Sequence, residues 1–185
     1  MSGIRRIKPY VFALVCCAAL VACRAFGIFS NSPVQVTAQD REVLVTWVID
    51  GDTFETSNGE RVRLLGIDAP EVSHHDVAGE PFGEESAAWL RRRIADTNVT
   101  LRFGPELTDH YGRTLAWIYS DDNVLINQEA LQTGHAELLD RFGLPENLEP
   151  QLRAAEHAAK SKKIGLWKQP QDNRSEAKER ESSLR

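Results

Sequence analysis

Beyond position 23 the 185-residue chain has no cysteine, since Cys16, Cys17 and Cys23 are the only three. A domain built from the remainder holds no disulfide, so its core rests on apolar packing alone. Histidine is scarce. His74 and His75 are adjacent in "EVSHHDVAGE" but lack a partner ligand at suitable spacing, so a surface loop is expected there rather than a zinc site. The sequence has one uninterrupted apolar run, "YVFALVCCAALVA" from Tyr10 to Ala22, which is short for a membrane-spanning helix. Positive charge is also in deficit, with 22 Lys and Arg against 27 Asp and Glu, a net −5. For a partner of polyanions this sign is wrong on average, and any basic face has to be local.

Arg5, Arg6 and Lys8 precede the apolar run, so residues 1–22 read as a signal peptide with a basic n-region and an apolar h-region. The run ends "LVAC", which resembles the lipobox of bacterial lipoproteins, with Cys23 as the residue to be lipidated and a membrane as the partner of this segment. An ordinary cleaved signal, or an uncleaved anchor continuing through Phe26 to Phe29, stays open. Each version places the protein in the cell envelope or outside the cell. Removing residues 1–22 takes away three basic groups and no acid, which leaves 19 basic residues against 27 acidic and a net charge of −8.

Residues 23–41 contain "SNSPVQVTAQDR", polar and without periodicity, which suits a tether. The folded domain is expected over 42–168. Val43, Val45, Trp47 and Ile49 alternate, "SNGE" carries the Asn58-Gly59 signal of a type I′ hairpin, and "RVRLLGI" is the returning strand. Val99, Leu101 and Phe103 alternate again, as do Leu115, Trp117 and Tyr119 beyond "GPELTDHYGR", giving about five strands in an antiparallel meander. Helical patterns cover "GEESAAWLRRRIAD", then Asn127–Thr133 with Asn127 as its cap, then 146–163 with Leu148, Leu152, Ala155 and Ala159 on one face. The four tryptophans fall at apolar positions and are expected in the core, and Arg91, Arg92 and Arg93 on a solvated face. The tail 169–185 has the composition of a disordered segment.

Within "VIDGDTFETSNGERVRLLGIDAPE" the acids are crowded. Asp50 and Asp52 flank Gly51, Asp68 and Glu71 flank "DAPE", and the intervening hairpin brings both turns toward one end of a strand pair. Asp-Gly-Asp alone is commonly a turn. Carboxylates gathered in this way repel each other unless a proton or cation sits among them, and a hard ion such as Ca²⁺ or Mg²⁺ matches the oxygen donors better than zinc does. Arg63, in the same stretch, and Arg113, closing "TDHYGR", add two guanidiniums that can grip a phosphate. A cation, two arginines and a spare carboxylate are what phosphodiester hydrolysis requires: charge stabilisation for the transition state and a base for the attacking water. Glu71 is the candidate base, because Asp52 and Asp68 are better used as ligands.

"VIDGDT", "RLLGIDAPE" and "TDHYGRTLAWIY" together resemble the three signature segments of the staphylococcal nuclease, or thermonuclease, family, in order and spacing, over roughly two thirds of the chain. The resemblance implies an α+β fold, a five-stranded OB-fold β-barrel with three helices. It also implies a calcium-dependent endonuclease, monomeric, that cuts single-stranded or frayed DNA and RNA to 3′-phosphate products, with Mg²⁺ the poorer cofactor. By similarity Asp52, Asp68 and the Ala69 carbonyl hold the ion, Asp50 acts through water, Arg63 and Arg113 hold the phosphate, Glu71 is the general base, and Tyr111 touches a phosphate. Where the family prototype has two pocket tyrosines this chain offers Asp140 and Phe142, of which Phe142 can still stack on a base, and His110 replaces a frequent lysine. Two other functions compete: a noncatalytic OB-fold module that binds nucleic acid, and an envelope protein whose acids form a structural calcium site.

Overall fold

In β1 (Arg41–Val48) the expected alternation breaks where it matters for the core. Val45 pairs with Thr56 but Trp47 pairs with Glu55, so one residue, Thr46, is extra, and the bulge turns Val48 inward and Trp47 outward. Val45 and Val48 are buried, whereas Trp47 is 61% exposed, with the Arg91 guanidinium 5.9 Å from its ring. Trp47 is therefore not a core residue. Trp117 is buried, and Trp89 is half-buried and stacked on His135 at 5.0 Å between ring centres.

The computed structural model describes residues 39–73 and 78–168. The expectations for residues 1–22, for Cys23, for most of the tether, for His74 and His75 and for the tail 169–185 lie outside the described residues.

After β1 come β2 (Thr53–Thr56), β3 (Arg61–Leu64), β4 (Ile67–Asp68), α1 (Gly83–Ile94), β5 (Asn98–Thr108), β6 (Thr114–Ser120), α2 (Ile126–Gln132), β7 (Glu137–Leu138), α3 (Glu149–Lys162) and a closing 3₁₀ turn, Gly165–Lys168. Five strands close a barrel in the order β1-β2-β3-β6-β5, the OB-type arrangement, and β4 and β7 form a separate two-stranded sheet. The barrel is not a simple antiparallel meander. β3 and β6 pair in parallel, a connection that needs a long crossover, and α1 with β5 supplies it. β5 runs beyond Phe103 to Thr108, with Pro105 at a register irregularity, where a missing N–H is tolerated.

The β2–β3 turn also differs from a two-residue type I′ hairpin. Only Gly59 has positive φ, +79°; Gly59 N–H donates to Thr56 O at 2.9 Å and Thr56 N–H to Glu60 O at 3.0 Å. This is a three-residue loop whose last member is left-handed. Asn127 does not cap α2. Leu125 holds that position, while Asn127 is fully buried, accepts from Ile118 N–H at 2.9 Å and donates to Leu65 O at 2.8 Å, tying α2 to β6 and to the end of β3. In α3 the expected face holds, with Leu152, Ala155 and Ala159 buried, although the helix begins at Glu149 after a turn on Pro145. Phe54, Leu64, Leu101, Ile118, Ile126 and Leu152 belong to one buried core cluster that draws on both barrel and helices.

Candidate active-site cleft

The first acidic turn is built by its own side chains. Asp50 Oδ1 accepts the Asp52 N–H at 2.9 Å, and Thr53 O accepts the N–H of Ile49 at 2.9 Å. A Cβ on Gly51 would lie 2.6 Å from Ala69 Cβ and 2.7 Å from Ser86 Cβ, so only glycine lets this turn press against "DAPE" and the first turn of α1. Across that contact Asp52 Oδ2 accepts the Ala69 N–H at 2.7 Å, and Asp52 Oδ1 accepts the Thr53 hydroxyl at 3.0 Å. The two acidic turns thus meet through backbone packing.

The register of β2 and β3 sets Arg63 opposite Thr53, beside both turns. Its side chain is 13% exposed and spans two aspartates, with Nη1 against Asp52 Oδ2 and Nη2 donating to Asp68 Oδ1 at 3.0 Å. Burial pushes the Arg63 pKa down, and the charges of Asp68, Asp50 and Glu71 oppose the fall. Burial likewise raises the Asp50 carboxyl against the pull of Arg63, Thr53 and Arg113, which is the response of an anion short of compensating charge.

Glu71 is exposed, and its backbone is clamped to the residues that lead into α1. Its N–H donates to Glu80 Oε2 at 3.2 Å and its carbonyl accepts from Glu80 N–H at 2.9 Å. Gly83 packs so closely on that carbonyl that a Cβ would come within 2.1 Å of it. Sequence reasoning missed Glu80 and Gly83, because neither carries a pattern until the fold brings it to Glu71.

Asp109 organises the third segment. Its Oδ1 accepts from Tyr111 N–H at 3.0 Å and Arg113 N–H at 2.9 Å, and its Oδ2 accepts from Arg113 Nε at 2.7 Å. Burial works against the charged form of Asp109, but the bonds from Arg113 outweigh it and hold the carboxyl below the usual range. The signal for Asp109 was present: Asp and Gly stand at the first and fourth positions of a turn, and Gly112 has φ +80°.

Glu71, Tyr111 and Arg113 line one open cleft of about 630 Å³ together with Gly59, Glu60, Arg61 and Gly112. Arg63, Asp52 and Asp68 are not among the cleft-lining residues, but Arg63 is near enough to Glu71 to feel its charge. His110 packs on Tyr111 at 3.7 Å between ring centres. Phe142 is not among the cleft-lining residues; it is 76% exposed in a loop, with the Arg141 guanidinium 4.8 Å from its ring. Asp140 pairs with Arg153 at 3.0 Å.

A hard cation suits the donor chemistry. Asp52 and Asp68 are close enough to share one guanidinium, Asp50 is buried and undercompensated, and the donors are oxygens. Among the described residues no three Asp, Glu, His or Cys side chains form a metal-holding group by themselves, so backbone carbonyl and water would have to complete the shell.

Comparison with known proteins gives the same frame. The staphylococcal nuclease homologue family matches residues 61–169. A thermonuclease of Staphylococcus intermedius is 30% identical over 145 residues, covering 76% of this chain and 83% of that protein. An uncharacterized endonuclease of Escherichia coli O157:H7 is 31% identical over 126 residues, 66% of this chain and 74% of its own length. A thermonuclease of Staphylococcus hyicus is 26% identical over 134 residues, 70% of this chain and 78% of its own. The chain belongs to the staphylococcal nuclease family.

Proposed function

We propose that this protein is an exported, calcium-dependent endonuclease that hydrolyses phosphodiester bonds of DNA and RNA to 3′-phosphate products. The observation that carries the reading is the single guanidinium of Arg63 reaching both Asp52 and Asp68, beside a cleft lined by Glu71, Tyr111 and Arg113. The family and its thermonuclease and endonuclease members support nuclease chemistry. Export rests on the basic and apolar residues 1–22, with Cys23 as the proposed lipid anchor.

The residues that would hold calcium are Asp52, Asp68 and the carbonyl of Ala69, with Asp50 acting through water. The bound ion would supply positive charge that polarises a nonbridging phosphate oxygen. Arg63, shared between Asp52 and Asp68, would turn its guanidinium to a phosphate oxygen and take up charge as the phosphorus becomes five-coordinate. Arg113, fixed through Nε by Asp109, keeps its terminal nitrogens for a second oxygen. Glu71, its backbone held by Glu80, takes a proton from the attacking water as the P–O5′ bond breaks, and the departing oxygen becomes the 5′-hydroxyl with a proton from solvent. Tyr111 and His110 border the strand where it enters.

Gel digestion of DNA and RNA by the purified protein tests this reading. Both are expected to be cut with Ca²⁺, more slowly with Mg²⁺, and not with a chelator. Undiminished cutting in chelator would refute the calcium assignment, and intact nucleic acid under every condition would refute the nuclease assignment.

A further inference from the structure

Arg61 has no role in the chemistry above, yet it lines the same cleft. Its side chain is 66% exposed, and its one ion-pair neighbour among the described residues, Glu55 Oε2, is 3.9 Å away and itself 38% exposed. The cleft wall carries two acids, Glu60 and Glu71, of which Glu60 is occupied, accepting from Arg41 Nη2 and Thr114 Oγ1 at 2.5 Å each. The long, solvent-screened pair with Glu55 therefore does little to neutralise Arg61.

Its position is set by two registers. Val62 and Leu64 point into the barrel, so Arg61 and Arg63 share the outer face of β3, one strand repeat of about 6.6 Å apart. Val62 pairs with Thr114 in the parallel ladder, and continuing that register by one residue sets Arg61 beside Arg113. Like charges side by side across strands are unfavourable unless an anion lies between them. The strand repeat is of the order of the phosphate-to-phosphate step along an extended single strand. Arg63 is shared by Asp52 and Asp68 and Arg113 is held by Asp109, which leaves Arg61 the most exposed and least closely paired guanidinium of the three.

We infer that Arg61 is a second phosphate subsite, binding the phosphate next to the scissile one, and that it makes the cleft select single-stranded chains of several nucleotides over isolated diesters. This rests on the nuclease reading of the cleft. Arg61 acts through Coulombic attraction and hydrogen bonds to a nonreacting phosphate, so its contribution appears in binding and not in the chemical step.

The test compares the unaltered protein with Arg61→Gln and with Lys162→Gln, an exposed charge on α3 away from the cleft. Fluorescence anisotropy of a labelled ten-nucleotide thymidylate, in chelator and across a salt series, is expected to show Arg61→Gln binding about three- to tenfold more weakly, with the slope of log affinity against log salt reduced by about 0.7. Lys162→Gln should match the unaltered protein. In turnover, KM for the ten-mer should rise for Arg61→Gln while kcat stays, and the rate on a thymidine p-nitrophenyl phosphodiester should not change. Equal salt slopes for Arg61→Gln and the unaltered protein, or equal losses on the ten-mer and the small diester, would overturn the subsite. If nothing is cleaved but the slope still falls, the nuclease reading fails and the subsite stands.

Discussion

Asn127 shows how far a single residue can depart from its sequence pattern. An asparagine ahead of an apolar run reads as a helix cap, but here it is fully buried and satisfies the Ile118 N–H and the Leu65 carbonyl. Replacing it with alanine orphans both groups, each at about 1–3 kcal/mol, so urea unfolding of Asn127→Ala should show a loss of at least about 2 kcal/mol. A midpoint unchanged from the parent would mean that water or another side chain takes over these bonds. Trp47 is the converse case. Its spacing reads as core, and only the bulge at Thr46, which no residue type announces, turns it out to solvent beside Arg91. The candidate site residues were easier to nominate, because Asp50, Asp52, Arg63, Asp68, Glu71 and Arg113 fall in short segments with fixed offsets. Glu80 was not legible, since its contact with Glu71 depends on a chain reversal that local pattern does not encode.

Among the elements, the decisive contact is between two turns. Gly51 lets "DGD" touch "DAPE" and α1, and a methyl group there meets Ala69 Cβ at 2.6 Å and Ser86 Cβ at 2.7 Å, both on packed backbone. Gly51→Ala must therefore push the acidic turns apart. It is expected to lower thermal stability by about 1–3 kcal/mol, as overpacking does, and to weaken calcium binding measured by calorimetry. A variant as stable as the parent with the same calcium affinity would show that the two turns are not held in contact. Strand and helix content was legible from periodicity, but the parallel β3–β6 pairing was not. It follows from closing five strands into a barrel, a global condition that alternation along each strand cannot express.

Across the whole molecule, pH acts through His135, where α2 leads into β7. Its ring stacks on Trp89 and lies 5.5 Å from Phe82, and burial, reinforced by Arg92, lowers its pKa to about 4. The unfolded chain takes up this proton near the ordinary value of 6.5, so the folded state loses stability as pH falls from about 6.5 to about 4, and the loss levels off below that. Thermal unfolding of His135→Gln should show a weaker pH dependence in this window, and an unchanged dependence would assign it to other groups. Charge is the other property of the whole chain. A net −5 speaks against a polyanion partner on average, and the fold sets Arg61 and Arg113 on one cleft wall, a placement no composition could reveal.

The most direct measurement is the single-turnover rate at which the protein and its Glu71→Gln variant cut a 5′-labelled single-stranded oligonucleotide in Ca²⁺, with the product ends identified. Glu71→Gln keeps the shape of the side chain and removes the base, so the expected result is 3′-phosphate ends and a rate lowered by about 10²- to 10⁴-fold, with oligonucleotide affinity retained. A variant that cuts as fast as the parent would contradict the assignment of Glu71, and with it the account of this cleft as a hydrolytic centre.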